Sequence, residues 1–366
     1  MAYTTIDNPE LYFQSVLWTG NGSNPRTITF GGDENMQPDL LWYKCRSHAV
    51  PHILLDSVRG AGNDKELQPD DTTLEGGTSA ETDGYISAFT SNGFTLAAGS
   101  SGGDHYTNEG SRTFVAWCWK AGGSTASNSS GDITSTVSVD TTAGFSITSY
   151  TGNNSNDQTV GHSLSAVPHL MIIKNRDDTN GWIVYHHKNT SAPETDYLGL
   201  NGNSVTTDDD GIFNDTAPTS TLFTIGDESD VGAGTGGNTE KIIAYLWSEK
   251  QGFSKFGSYT GNGNADGTFV YTGFRPAMII LKNTETAKDW NIWDTKRDPY
   301  NGANHLLYPS LNNAEGSGTV YLDLLSNGFK LRNSNNKWNS TETFIYIAFA
   351  EAPFVNSKGV PCNARW

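Results

Sequence analysis

Cysteine is scarce: Cys45, Cys118 and Cys362 are the three in 366 residues, and no CxxC pair occurs among them. That excludes zinc-type ligand pairs and a disulfide framework. Cys45 and Cys118 lie inside apolar runs and read as buried thiols. Charge is scarce as well, at 17% of residues, with a net charge of -17. No run of Lys or Arg occurs, so no nucleic-acid partner is expected, because binding phosphates needs basic stripes. No stretch approaches the roughly 18–20 apolar residues that span a bilayer, so no membrane insertion is expected. The opening Met1-Ala2-Tyr3-Thr4-Thr5-Ile6-Asp7 lacks the basic region and apolar run of a signal peptide. The expectation is a protein made and left in a cytoplasm, or assembled there into something larger.

Catalytic signatures are sparse too. There is no HExxH and no GKS/T loop. Gly161-His162-Ser163-Leu164-Ser165 lacks the last glycine and the helix of a nucleophile elbow. Gly232, Gly234 and Gly237 satisfy GxGxxG by count but precede a strand pattern, so no helix N-terminus waits for a pyrophosphate. No carboxylate pair is singled out for glycoside hydrolysis. The chain reads as a non-enzyme.

What is present is the composition of short strands joined by turns: 40 glycines, 11% aromatic residues, and Ser, Thr and Asn in place of charge. Three internal repeats organise it. Trp18-Thr19-Gly20-Asn21 returns as Tyr150-Thr151-Gly152-Asn153 and as Tyr259-Thr260-Gly261-Asn262. Each is followed by a proline ahead of an apolar run ending in lysine: Pro38 to Lys44, Pro168 to Lys174, Pro276 to Lys282. Eighteen residues after the prolines stand Asp56, His186 and Asp294, and three further on Arg59, Asn189 and Arg297. The blocks close on Ala116-Trp117, Ala244-Tyr245 and Ala348-Phe349. Ser91-Asn92-Gly93-Phe94 recurs as Ser326-Asn327-Gly328-Phe329, its Asn-Gly suited to a type I′ turn. The apolar runs are too short for core helices, and no segment carries a convincing 3.6-residue period.

These features predict an all-β chain of three tandem antiparallel β-sandwiches of jelly-roll type. The expected layout is an N-terminal docking arm (1–15) and repeat one (16–122), then a Ser/Thr/Gly-rich flexible linker (123–143). Repeats two (144–248) and three (252–354) and a C-terminal tail (355–366) follow. The pairs Asp56/Arg59 and Asp294/Arg297 read as structural ion pairs. Lys44, Lys174 and Lys282 share one strand position and read as exposed strand ends with their charges in water. Trp338, in a polar loop, is the candidate for contact with a partner or glycan. The acidic loops Asp208–Asp210 and Asp227–Asp230 could gather calcium ligands but read as solvated turns, and no cofactor is expected. His186-His187 could seed a metal site, yet neighbours on a strand point to opposite faces.

The combination of TGN, Pro38-Asp39-Leu40-Leu41-Trp42-Tyr43-Lys44, Asp56-Ser57-Val58-Arg59-Gly60, SNGF and Ala116-Trp117-Cys118-Trp119-Lys120 resembles a repeat module of marine bacteriophage structural proteins. The opening Ile6-Asp7-Asn8-Pro9 and the ending Asn363-Ala364-Arg365 are similar to that group as well. The resemblance implies a concanavalin-like β-sandwich in a virion, with no catalytic residues. The expected role is a tail fibre or adhesion appendage beside other virion proteins that contacts host-surface glycans. A homotrimer is expected because closed symmetry presents weak identical sites together and raises their effective concentration. A capsid decoration protein and a non-viral carbohydrate-binding module are the alternatives. Leu11, Tyr12 and Phe13, and the Trp366 end, are the apolar segments expected to dock on a neighbour.

Overall fold

The computed structural model describes residues 2–362 except residues 79, 101 and 233–238. Strands take 40% of the chain and helices 5%, so the protein is all-β. Three sets of four strands share one antiparallel order. In each, an opening strand pairs with a closing strand, which pairs with a central strand, which pairs with an outer strand. The opening strands are Phe13–Thr19, Phe145–Thr151 and Ser254–Thr260; the central ones are Leu40–Cys45, Leu170–Asn175 and Phe274–Asn283. The outer strands are His52–Asp56, Trp182–His186 and Asn291–Asp294, and the closing ones are Thr113–Trp119, Lys241–Trp247 and Thr343–Pro353. Each set faces a smaller sheet of two or three strands, making three lobes.

Every residue of the central strands is buried. Alternate side chains of a strand point to opposite faces, so these sheets are covered on both. One face packs inside its own sandwich, as Leu41, Tyr43, Ile53 and Leu55 do against Ile28, Phe94 and Leu96. The other face meets the other two lobes in one shared core. There Leu40, Leu170 and Met278 occupy matching positions, as do Trp42, Ile172 and Ile280, and Trp119, Trp247 and Phe349. The three aromatics at the closing-strand ends touch edge to face, with ring centroids 5.4 to 6.3 Å apart. The lobes form one closed ring around an apolar centre, and the void left at that centre is only about 20 Å³.

The TGN glycines are placed by a close approach. A Cβ at Gly20, Gly152 or Gly261 would lie 2.0, 1.8 or 1.9 Å from the carbonyl oxygen of Glu109, Gly232 or Ser340. Next to that approach, buried Asn108 accepts from the Asn21 N–H, and Asn339 accepts from that of Asn262.

Several expectations are corrected. The 123–143 segment is not a flexible linker: Ala126–Asn128 and Ser135–Asp140 join one edge of the second lobe's sheet, which with Asp196–Gly199 and Thr207–Asp208 at the other edge has eight strands. Its alternating Thr, Val and Ser suit a sheet edge with one wet face. The N-terminal arm does not project outward. Ile6 and Phe13 lie in the shared core, Tyr12 meets Phe253, and Tyr3 donates to the Gly273 carbonyl. It straps the third lobe, where its apolar side chains escape water within their own chain. Ser357 of the tail donates to Asp7, so the two termini meet; Trp366 and the 363–365 ending lie outside the described residues. The Ser-Asn pairs at 91–92 and 326–327 form the hairpin turns, and the following glycines open the next strand. A Cβ at Gly93 or Gly328 would strike the carbonyl of Ile28 or Val270 at 2.0 Å. Pro276 sits inside its strand at a register shift, a place that asks for no ladder donor, whereas Pro38 and Pro168 precede theirs. Pairing also aligns Ala348-Phe349 with Cys118-Trp119 and Leu246-Trp247, two residues from the match suggested by the Ala-aromatic pattern.

Candidate functional site

The chain's buried charges gather where one lobe meets the next. At the first seam, between lobes one and two, Asp56 ends an outer strand and Arg59 follows in the turn. The Arg59 Nε lies 2.5 Å from Asp56 Oδ2, and its Nη1 lies 2.8 Å from Glu75 Oε1. Glu75 then pairs with Arg176 of the second lobe. From that lobe the Tyr245 hydroxyl donates to Asp56 at 2.7 Å. Burial works against the Arg59 charge, but Asp56, Tyr245 and Glu75 outweigh it and hold the guanidinium above its ordinary value.

The third seam, between lobes three and one, repeats this with new residues. Arg297 pairs with Asp294 and Glu315, Glu315 pairs with Arg46 of the first lobe, and the Trp117 indole donates to Asp294 at 3.0 Å. Burial raises the Glu315 carboxyl, yet Arg46 and Arg297 prevail and hold it below the usual carboxylate range.

The second seam, between lobes two and three, uses neutral groups at the same places. His186 Nε2 lies 3.1 Å from the Tyr346 carbonyl of lobe three, and Thr206 donates to Asn189 at 2.7 Å. The Thr206 N–H donates to Thr284, as that of Glu75 does to Arg176 and that of Glu315 to Arg46. Thus at these matching positions two seams carry ion pairs and one carries neutral groups, its charge sitting instead on Glu249, which faces His187 and accepts from the Phe256 N–H.

The shared lysines are not exposed ends. Lys44, Lys174 and Lys282 are wholly buried, and backbone carbonyls receive their ammonium protons. Lys174 donates to Thr72 across the first seam, and Lys282 to Asn203 across the second. Burial pushes each amine down to about 8. The charge satisfies buried carbonyls, for Lys44 those of Cys45 and His48 in its own lobe, instead of sitting in water.

Trp338 is corrected as well. It is 2% exposed, meets Trp293 and Tyr321 edge to face, and donates from its indole to Asn333. Its carbonyl accepts from Tyr259, the role that Thr107 and Val231 play for Trp18 and Tyr150. Asn335, Asn336 and Lys337 surround it in sequence, but the fold turns the ring inward. Trp338→Ala therefore should lower stability by about 3–5 kcal/mol, the scale of a lost core aromatic. Thermal melting checks this, and an unchanged melting temperature would return Trp338 to the surface.

Ser163 of the elbow-like stretch receives a hydrogen bond from Asn128, and His162 is buried with its Nδ1 accepting from Leu164. Gly234 and Gly237 lie outside the described residues. Among the described residues no group of three or more His, Cys, Asp or Glu side chains is arranged to hold a metal ion.

Sequence spacing brings out Asp56, Arg59, Asp294 and Arg297 but not their partners. Arg46 and Arg176 each stand two residues after a shared lysine, a signal present in the sequence. Glu75 and Glu315 stand at different distances from their arginines, so no common offset reveals them.

Fold and seams define the class: an all-β, three-lobed ring whose buried charges hold lobe to lobe. The chain belongs to a family described as a domain of unknown function, DUF7483, whose model matches residues 8–353 and so spans all three lobes. No curated protein and no solved structure matches it significantly.

Proposed function

We propose that the protein is a non-catalytic structural component of a bacteriophage particle, a rigid three-lobed module of an adhesion appendage that forms trimers. The motif resemblance to phage structural modules supports the setting. The observation that supports the role is the closed ring, in which buried ionic chains join neighbouring lobes. A module built this way transmits load and presents its outer sheets at fixed angles. Three-lobed shape also favours a second reading, decoration of a capsid at three-fold lattice positions, where one chain would offer three similar faces. Exposed Phe269 and Tyr300 on the third lobe favour the adhesion reading, because open aromatic faces suit sugar rings.

Mass spectrometry and an electron-microscopy map of purified particles test the proposal. Density at the tail supports the appendage, and density on the capsid lattice supports decoration. Absence from purified particles would overturn both.

A further inference from the structure

At the base of the ring the three seams can be compared position by position. The second seam is plugged. His187 reaches from lobe two to the Phe256 carbonyl of lobe three at 2.6 Å, and His169 packs on it with ring centroids 4.5 Å apart. At the first seam Ile147 and Asp39 hold the places of Phe256 and His169. At the third seam the corresponding residues are all small: Ser15, Thr295 and Ala277. A cavity of about 270 Å³ opens there, lined also by Arg275, Lys296 and Glu351. The fold does not require it, since the second seam fills the same place with His187, His169 and Phe256.

The lining has a definite chemistry. Arg275 is 7% exposed, and its Nε pairs with Glu351 at 2.6 Å. Among the described residues its Nη1 and Nη2 donate no hydrogen bond. Glu10, also in the lining, already accepts from the Asp33 N–H. A guanidinium edge left open in a cleft matches a planar carboxylate. The Ser15 and Thr295 hydroxyls beside it suit a polyol, and exposed Lys296 adds positive charge at the mouth. The volume falls just below the ~300–1,000 Å³ of ordinary ligand pockets, so one sugar-sized ring fits and a folded polymer does not.

We propose that the seam between the third and first lobes is a binding site for a carboxylated sugar of the uronic-acid class, with the open edge of Arg275 receiving the carboxylate. The inference concerns the isolated chain and stands apart from the virion reading. Binding with absence from particles would leave it intact, and presence in particles without binding would overturn it alone.

The test is calorimetric or NMR titration of the full chain with glucuronate, with glucose and with acetate at constant ionic strength. Glucuronate should bind roughly tenfold or more tighter than either control, the scale of one charge-assisted contact. Arg275→Gln should remove that preference while keeping the hydrogen bond to Glu351. The double variant Ser15→Phe/Thr295→His, which copies the plug of the second seam, should abolish binding. Melting curves report whether the variants fold, and Arg275→Gln decides the matter if the double variant does not. Glucuronate binding no tighter than glucose or acetate, no binding at all, or full binding by Arg275→Gln would each overturn the site.

Discussion

Arg59→Ala should be among the most damaging single substitutions at the protein's seams. It strands the Asp56 carboxylate, wholly buried, with the Tyr245 hydroxyl and two backbone N–H groups but no counter-charge. Breaking a buried pair by removing one partner costs about 3–5 kcal/mol, far more than the pair contributes against a neutral replacement of like shape. The second seam supplies such a replacement. Asp56→His, Arg59→Asn, Glu75→Thr and Arg176→Thr together install the groups that sit at the equivalent places there. The quadruple variant should recover most of the stability lost by Arg59→Ala, since no charge remains stranded. Thermal or urea unfolding of the three proteins decides it. A quadruple variant no more stable than Arg59→Ala would show that the seams are not interchangeable.

Acid should weaken the second seam, as it should the places where buried His52 and His162 are also held below their ordinary value by desolvation. Burial, then the neighbouring His187, hold His186 at about 3 against an ordinary 6.5. Its neutral ring accepts from the Lys188 N–H and faces the Tyr346 carbonyl, and His169, His187 and Glu249 surround it. A depressed histidine contributes stability that is present above 6.5 and drains away as the pH falls toward 3. The loss is roughly a few kcal/mol at the acid end. Glu66 and Asp70 work in the other direction: burial raises them to about 8 and about 7. They favour the folded state at low pH and lose that contribution as the pH rises through those values. Wild type alone therefore reports a mixture. His186→Gln, whose amide still reaches toward the Tyr346 carbonyl, isolates the seam. Between pH 6.5 and 4 its melting temperature should fall less than that of wild type. Parallel curves for the two proteins would remove His186 from the acid response.

The sequence by itself determined the all-β class, the common motif of the repeats and the ion pairs Asp56/Arg59 and Asp294/Arg297. These rest on local chemistry: short β-branched and aromatic runs, glycine at close approaches, and a carboxylate three residues before an arginine at a strand end. Even the unbroken apolar runs 40–43 and 170–173 record that their sheets are buried on both faces. What covers the second face is a non-local fact. Only the tertiary structure decided that each lobe covers the next, which turned a string of sandwiches into a ring. The same decision drew Trp338, Lys174 and Lys282 inside, because partners such as Trp293, Thr72 and Asn203 lie far off in sequence. It also set the 123–143 segment into a sheet and left the third seam open where Ser15, Ala277 and Thr295 meet. No spacing along one chain encodes a cavity whose walls come from its two ends.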